Sequence, residues 1–120
     1  MPGYHDLEVY KEAYKLALEL HRISRERLPS HEQMELASQI RWASKSIPIN
    51  IAEGYGKRQL SVREFVKFLY VAMGSADEVI VELEFCRDLG YISLEEHQAL
   101  SERYDKIGRQ IRRLIESLRQ

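Results

Sequence analysis

Apolar residues recur at three- and four-residue spacing in four successive blocks of this chain, each bounded by residues that start or stop helices. In the first block Leu7, Tyr10, Tyr14, Ala17 and Leu20 run beside a second stripe of Val9, Ala13, Leu16 and Ile23. So wide an apolar face predicts contact with two neighbouring helices, or with another subunit as well as the home core. Pro29 ends the block. Ser30 with Gln33 then forms a capping-box pattern, in which the serine accepts from first-turn amides and the glutamine reaches back. Leu36, Ile40, Ala43, Ile47, Ile51 and Gly54 line the second helix, and Gly56 is the expected left-handed residue that closes it. Ser61 with Glu64 opens a third helix, lined by Phe65, Leu69, Ala72, Ala76, Val79, Leu83 and Cys86 and stopped at Gly90. Ser93 with Glu96 opens a fourth, where Leu100, Tyr104, Ile107, Ile111, Leu114 and Leu118 make a heptad-like stripe.

These signals predict helices over about residues 4–28, 31–55, 62–89 and 94–118. No segment has the alternating, β-branched character of a half-buried strand, and every connection is short, so sequential helices should pack antiparallel. The expected fold is all-α, a single domain over residues 1–120 forming an up-and-down four-helix bundle. A chain of 120 residues, 44% hydrophobic, has material for one core and not for two. No apolar run approaches the roughly 18–20 residues of a membrane span, and the N-terminus lacks the basic-then-apolar order of a signal peptide. A cytoplasmic protein without a membrane partner is expected. The lone Cys86 has no cysteine with which to form a disulfide or a zinc site, and a buried apolar role suits it.

Four-helix bundles can hold di-iron centres built from inward carboxylates and Glu-x-x-His pairs. Here the residues three before His21, His31 and His97 are Leu18, Leu28 and Leu94, so that pairing is missing. Hydrolase, phosphate-loop and dinucleotide signatures are missing too. Ser44 and Ser46 beside Lys45 point in different directions on a helix and make no nucleophile pair. The chain is therefore read as non-enzymatic, with no catalytic residue, no metal site and no cofactor.

Charge changes the picture more than chemistry does. The net charge is −1, but it divides into −2 over residues 1–38, +4 over 39–76, −7 over 77–102 and +4 over 103–120. Arg41 and Lys45 share a face of the second helix, Lys57 and Arg58 occupy its exit turn, and Arg63 and Lys67 line the start of the third. Such a cluster can bind phosphates with little sequence preference, and Trp42, Tyr55 or Tyr70 can stack on unpaired bases. A solvated helix surface is the plainer alternative for the same residues. Lys106, Arg109, Arg112, Arg113 and Arg119 track the last helix, where positive charge also suits the helix dipole. The acidic run Asp77, Glu78, Glu82, Glu84 and Asp88 reads as a solvated face or as a partner for cations of a neighbouring subunit.

The segment Gln39–Arg58 is the most unusual in the chain, because Pro48 and Asn50 lie inside an otherwise buried helix. Proline removes a backbone donor, and an asparagine on an apolar stripe must find partners. Asn50 and Ser46 are expected to satisfy groups freed at Pro48, with Glu53 pairing with Arg41 or Arg58 or bonding the start of the third helix. The small-residue run Ala72 to Ala76, with Gly74 and Ser75, predicts close helix packing against Ala52 and Gly54.

Gln39-Ile40-Arg41, Ser46-Ile47-Pro48, Asn50-Ile51-Ala52-Glu53-Gly54, the basic turn Lys57-Arg58, and Ala72, Gly74-Ser75 and Glu78 together resemble one known group. These are the bacterial four-helix bundle proteins encoded in intervening sequences of large-subunit ribosomal RNA genes, similar in fold to the accessory proteins of diversity-generating retroelements. The resemblance covers Leu7 to Leu118. It implies a ring-like homo-oligomer, a homopentamer, without enzymatic activity and with RNA or DNA as partner. Trp42 and the slightly acidic balance depart from the basic character of the group. A protein-interaction scaffold that docks another protein and never touches nucleic acid is the alternative function.

Overall fold

The computed structural model describes residues 3–119. Four helices, α1 (Glu8–Arg27), α2 (Leu36–Lys57), α3 (Val62–Asp88) and α4 (Leu94–Leu118), form an antiparallel up-and-down bundle 45 × 23 × 22 Å in extent. α2 packs on α1 and α3, and α4 packs on α3 and closes more thinly against α1. Ion pairs reinforce that thin seam: Arg103 Nη2 lies 2.9 Å from Glu19 Oε2 and 3.6 Å from Glu12. Nearer the α3–α4 turn, Arg27 grips Glu96 through both guanidinium nitrogens, at 2.6 and 3.1 Å. That grip, with the Ser93 amide, holds the Glu96 carboxyl down to about 2.

Three of the predicted helix ends move. Tyr4–Asp6 is a 3-10 turn, with the Gly3 amide donating to Asp6, so α1 begins at Glu8 instead of residue 4. Ser30–Glu32 is also a 3-10 turn, and α2 begins at Leu36 instead of 31. Gln33, expected to reach back in a capping box, instead donates to the Ser24 and Leu28 carbonyls and ties this turn to the end of α1. Gly56 is helical within α2, and Gly90, at φ +82, is the one left-handed residue among those described. The Ser93–Glu96 capping box is complete, and Ser61 Oγ accepts from the Glu64 amide at 3.1 Å.

The core follows the predicted stripes, with Ala13, Leu16, Ile47, Ile51, Leu69, Val79, Tyr104 and Ile111 sealed from solvent. On α4, Ile115 is buried where the heptad stripe named Leu114 and Leu118, which flank the core half-buried. The small residues, however, do not meet as expected. Gly54 packs on aromatic residues of α3: a β-carbon there would stand 2.7 Å from Phe68 Cβ and 2.9 Å from Phe65 Cδ1. Gly74 faces solvent, and a β-carbon on it would meet nothing within 4 Å.

Asn50 does not serve the Ser44 carbonyl that Pro48 leaves without its amide partner. Its Nδ2 donates to Ser46 O at 2.8 Å and Ser46 Oγ at 3.0 Å, and Ser46 Oγ lies 2.8 Å from Ser75 Oγ across the α2–α3 seam. The motif is a hydrogen-bonded link between helices, in which every member finds a partner. Glu82 also departs from the solvated face expected of it. Only 7% of its surface is exposed, and its Oε1 has no hydrogen-bond partner. Burial first, and then the neighbouring Glu78 carboxyl, pushes its pKa up to about 8.

Two outcomes follow. Gly54→Ala forces a side chain against Phe68 Cβ, and overpacking of this kind costs roughly 1–3 kcal/mol, read as a lowered midpoint in urea unfolding. Glu82 has a folded pKa above its unfolded value, so its favourable term is present below about pH 4.5 and is lost as pH rises to about 8. Glu82→Gln should therefore raise the melting temperature at pH 8, by about 4 °C for each kcal/mol recovered, and change it little at pH 4.5.

Candidate nucleic-acid interface

Because α2 and α3 are antiparallel and joined by a short turn, the end of one and the start of the other lie side by side. Lys57 and Arg58 close α2, and Arg63 and Lys67 occupy the first two turns of α3, four residues apart on one exposed face. Arg58 is fixed: its guanidinium lies 3.6 Å above the Tyr55 ring and donates to the Tyr55 carbonyl at 2.7 Å. Tyr55 in turn meets Phe65 edge to face at 5.9 Å. Lys57 Nζ sits 5.9 Å from the Phe68 ring, and Lys67 is 3.5 Å from Glu64 in an exposed i,i+3 pair of small energetic weight. Leu60, 91% exposed, projects from the turn between them.

The end of the second basic segment arrives at the same place. α4 runs antiparallel to α3, so its C-terminus returns to the α3 N-terminus, where Arg119 Nη1 donates to Tyr70 Oη at 3.2 Å. Helical spacing alone does not show this convergence, because it depends on how α4 pairs with α3. Acidic residues gather at the opposite end, Glu32 and Glu35 before α2, Glu84 and Asp88 late in α3, and Glu95 and Glu96 at the start of α4, where Glu96 and Asp88 are paired with Arg27 and Arg87.

Two of the predicted phosphate-binding residues lie elsewhere. Arg41 stands 16 residues before Lys57 on α2, about 24 Å along the helix. Its guanidinium is half-buried and committed, donating to Ser24 Oγ at 3.0 Å, Gln33 Oε1 at 3.2 Å and the Gln33 carbonyl at 2.9 Å. It anchors the turn between α1 and α2 and does not join the basic end. Lys45 is exposed near the middle of α2, 5.8 Å from the Trp42 ring. Glu53 is exposed too and lines a groove between α1 and α2, away from Arg41 and Arg58, whose guanidinium groups are already held. Among the described residues no three His, Cys, Asp or Glu side chains gather as a metal site would require, and no helix is long and apolar enough to cross a membrane.

The separation of Arg41 from the basic end predicts separable effects. Arg41→Gln should lower stability by about 2 kcal/mol, the scale for losing hydrogen bonds from a charged group, and leave nucleic-acid retention unchanged. Lys57→Glu should do the reverse, weakening retention at an unchanged melting temperature. Thermal unfolding and filter binding on the same two preparations check both.

The fold has a solved counterpart. A protein of unknown function from Bacteroides thetaiotaomicron, described as belonging to the S23 ribosomal protein family, superposes with a TM-score of 0.80 at 20% identity, over 89% of this chain and 97% of its own. No curated protein matches the chain. The sequence model that does match, over residues 5–113, is that of the 23S rRNA-intervening sequence protein. With that match across nearly its whole length, and with the expected bundle in place, this chain belongs to the 23S rRNA-intervening sequence protein family.

Proposed function

We propose that this protein is a non-enzymatic, homo-oligomeric bundle of the bacterial cytoplasm that binds nucleic acid, structured RNA in preference, through its basic end. The observation that carries the reading is the convergence of two separated basic segments, residues 57–67 and the α4 C-terminus, on one end of the molecule. One copy of such a patch is a weak phosphate site. Several copies in an assembly act at high effective concentration and hold a polyanion that one copy releases. A ring of five, as in the resemblance noted above, is the expected form. Arg58 over Tyr55 presents a pre-set guanidinium, and Arg63 adds an exposed cation beside it.

The scaffold reading is favoured by one observation, the exposure of large apolar residues on two helices, Trp42 and Ile49 on α2 and Val81 and Phe85 on α3. Salt separates the two. Phosphate contacts must weaken steeply as salt rises, whereas apolar docking changes little. The test is binding of a mixed bacterial RNA pool, followed by anisotropy at 50 and 200 mM salt, for the native chain and for Lys57→Glu/Arg58→Glu. Tight binding at low salt that falls at least tenfold at 200 mM, and is absent in the variant, is expected. No RNA uptake at either salt, or uptake unaffected by the double reversal, would remove the nucleic-acid reading.

A further inference from the structure

Two surfaces of the bundle carry apolar residues that nothing covers. On the outer side of α3, Lys67, Val71, Gly74, Glu78, Val81 and Phe85 follow one another at spacings of four, three, four, three and four, the seam of a helix that packs against other helices. All six are exposed, Val71 by 53% and Phe85 by 56%. This seam is separate from the one that faces the core, where Leu69, Ala72, Ala76, Val79, Leu83 and Cys86 are buried. Gly74 lies in its middle with open space beyond it, a costly residue in mid-helix that permits another backbone to come close.

The second surface is a groove of about 580 Å³ between α1 and α2. Its floor and walls are apolar, from Tyr14, Ala17, Leu18, Pro48, Ile49 and Ala52. Its charges sit at separate places, Lys45 and His21 toward one end and Glu53 toward the other. At the first end the His21 pKa is lowered, by burial first and then by the charges of Lys45, Arg25 and Arg41. A groove between two helices, apolar along its length and about as long as three helical turns, fits the apolar face of a third helix.

We infer that the α3 seam of one copy seats in the α1–α2 groove of a second copy, with Glu78 against Lys45 and Lys67 toward Glu53. Charge complementarity selects this occupant and its direction. Along α2 the order is cation then anion, Lys45 to Glu53, and along α3 it is cation then anion, Lys67 to Glu78. Opposite charges meet only if the docked α3 runs antiparallel to α2. In that register Gly74 lies over Ile49 and Val81 lies over Trp42. The docked α3 then has the direction that each copy's own α3 has, so neighbouring copies point the same way. A contact between two different surfaces is heterologous, and with all copies parallel it repeats by rotation about an axis along the bundle, a ring where that rotation closes. Every basic end then faces one side of the assembly. This inference rests on the self-association in the proposed function and supplies its contact.

The test uses the full chain and mass determination by light scattering. Lys45→Glu and Glu78→Lys, both at exposed positions, should each shift the concentration of half-assembly upward at least tenfold. The double variant should restore it. Separately, Ile49→Cys and Gly74→Cys chains, mixed and mildly oxidised, should form a disulfide between chains, against little background because Cys86 is buried. An assembled native protein that ignores both reversals and gives no mixed disulfide overturns the contact while leaving self-association standing. A native protein that is monomeric at every concentration overturns both. Should either charge variant lose helical circular dichroism, the uncharged cysteine pair decides.

Discussion

At Gly54 the backbone of α2 comes so close to α3 that only hydrogen fits between it and Phe65 and Phe68, and the rest of the bundle depends on that approach. A β-carbon there would wedge the helices apart and displace Phe65, which is itself core. Further along the same seam Ser46 and Ser75 meet at 2.8 Å, with Asn50 holding Ser46 from behind. Small and polar side chains thus fix the distance and register of one helix pair, where larger apolar residues would fix only that they stick. Once α2 and α3 are locked, the position of the Lys57-to-Lys67 turn follows, and α4 can return its basic tail to Tyr70.

Charge in this molecule divides by what surrounds it. Arg41, with three acceptors within 3.2 Å, is a strut between α1 and α2. Arg58, stacked on Tyr55, is a fixed cation at the surface, and Arg63 and Lys67 are exposed. Glu82 is the reverse case, a carboxyl taken so far out of water that burial raises its pKa to about 8. Residue type alone does not distinguish these fates, because each is decided by neighbours on other helices.

Helices were legible in the sequence because apolar spacing and caps are local, and where they failed the competing force can be named. The Ser30–Gln33 box gave way because Gln33 gains the Ser24 carbonyl of α1, the Leu28 carbonyl just after it and a guanidinium of α2 by turning away. The Gly56 stop gave way because Arg58 caps the Tyr55 carbonyl and the helix continues. Of the proposed nucleic-acid site, Lys57, Arg58, Arg63 and Lys67 were legible as a hairpin end. The approach of Arg119 was not, since it lies 49 residues from the tyrosine it reaches.

By itself, then, the sequence determined four helices, their order, their buried faces and, through a run of motif residues, their family. Those properties depend on residues within a few turns of one another and on the obligation to hide apolar stripes from water. Tertiary structure decided which small residue touches what, sending Gly54 to the α3 aromatics and Gly74 to solvent. It also decided which charges are buried or free, and that two basic segments meet at one end. Distances of tens of residues along the chain become a few ångströms only when helices pack, and no local pattern encodes that.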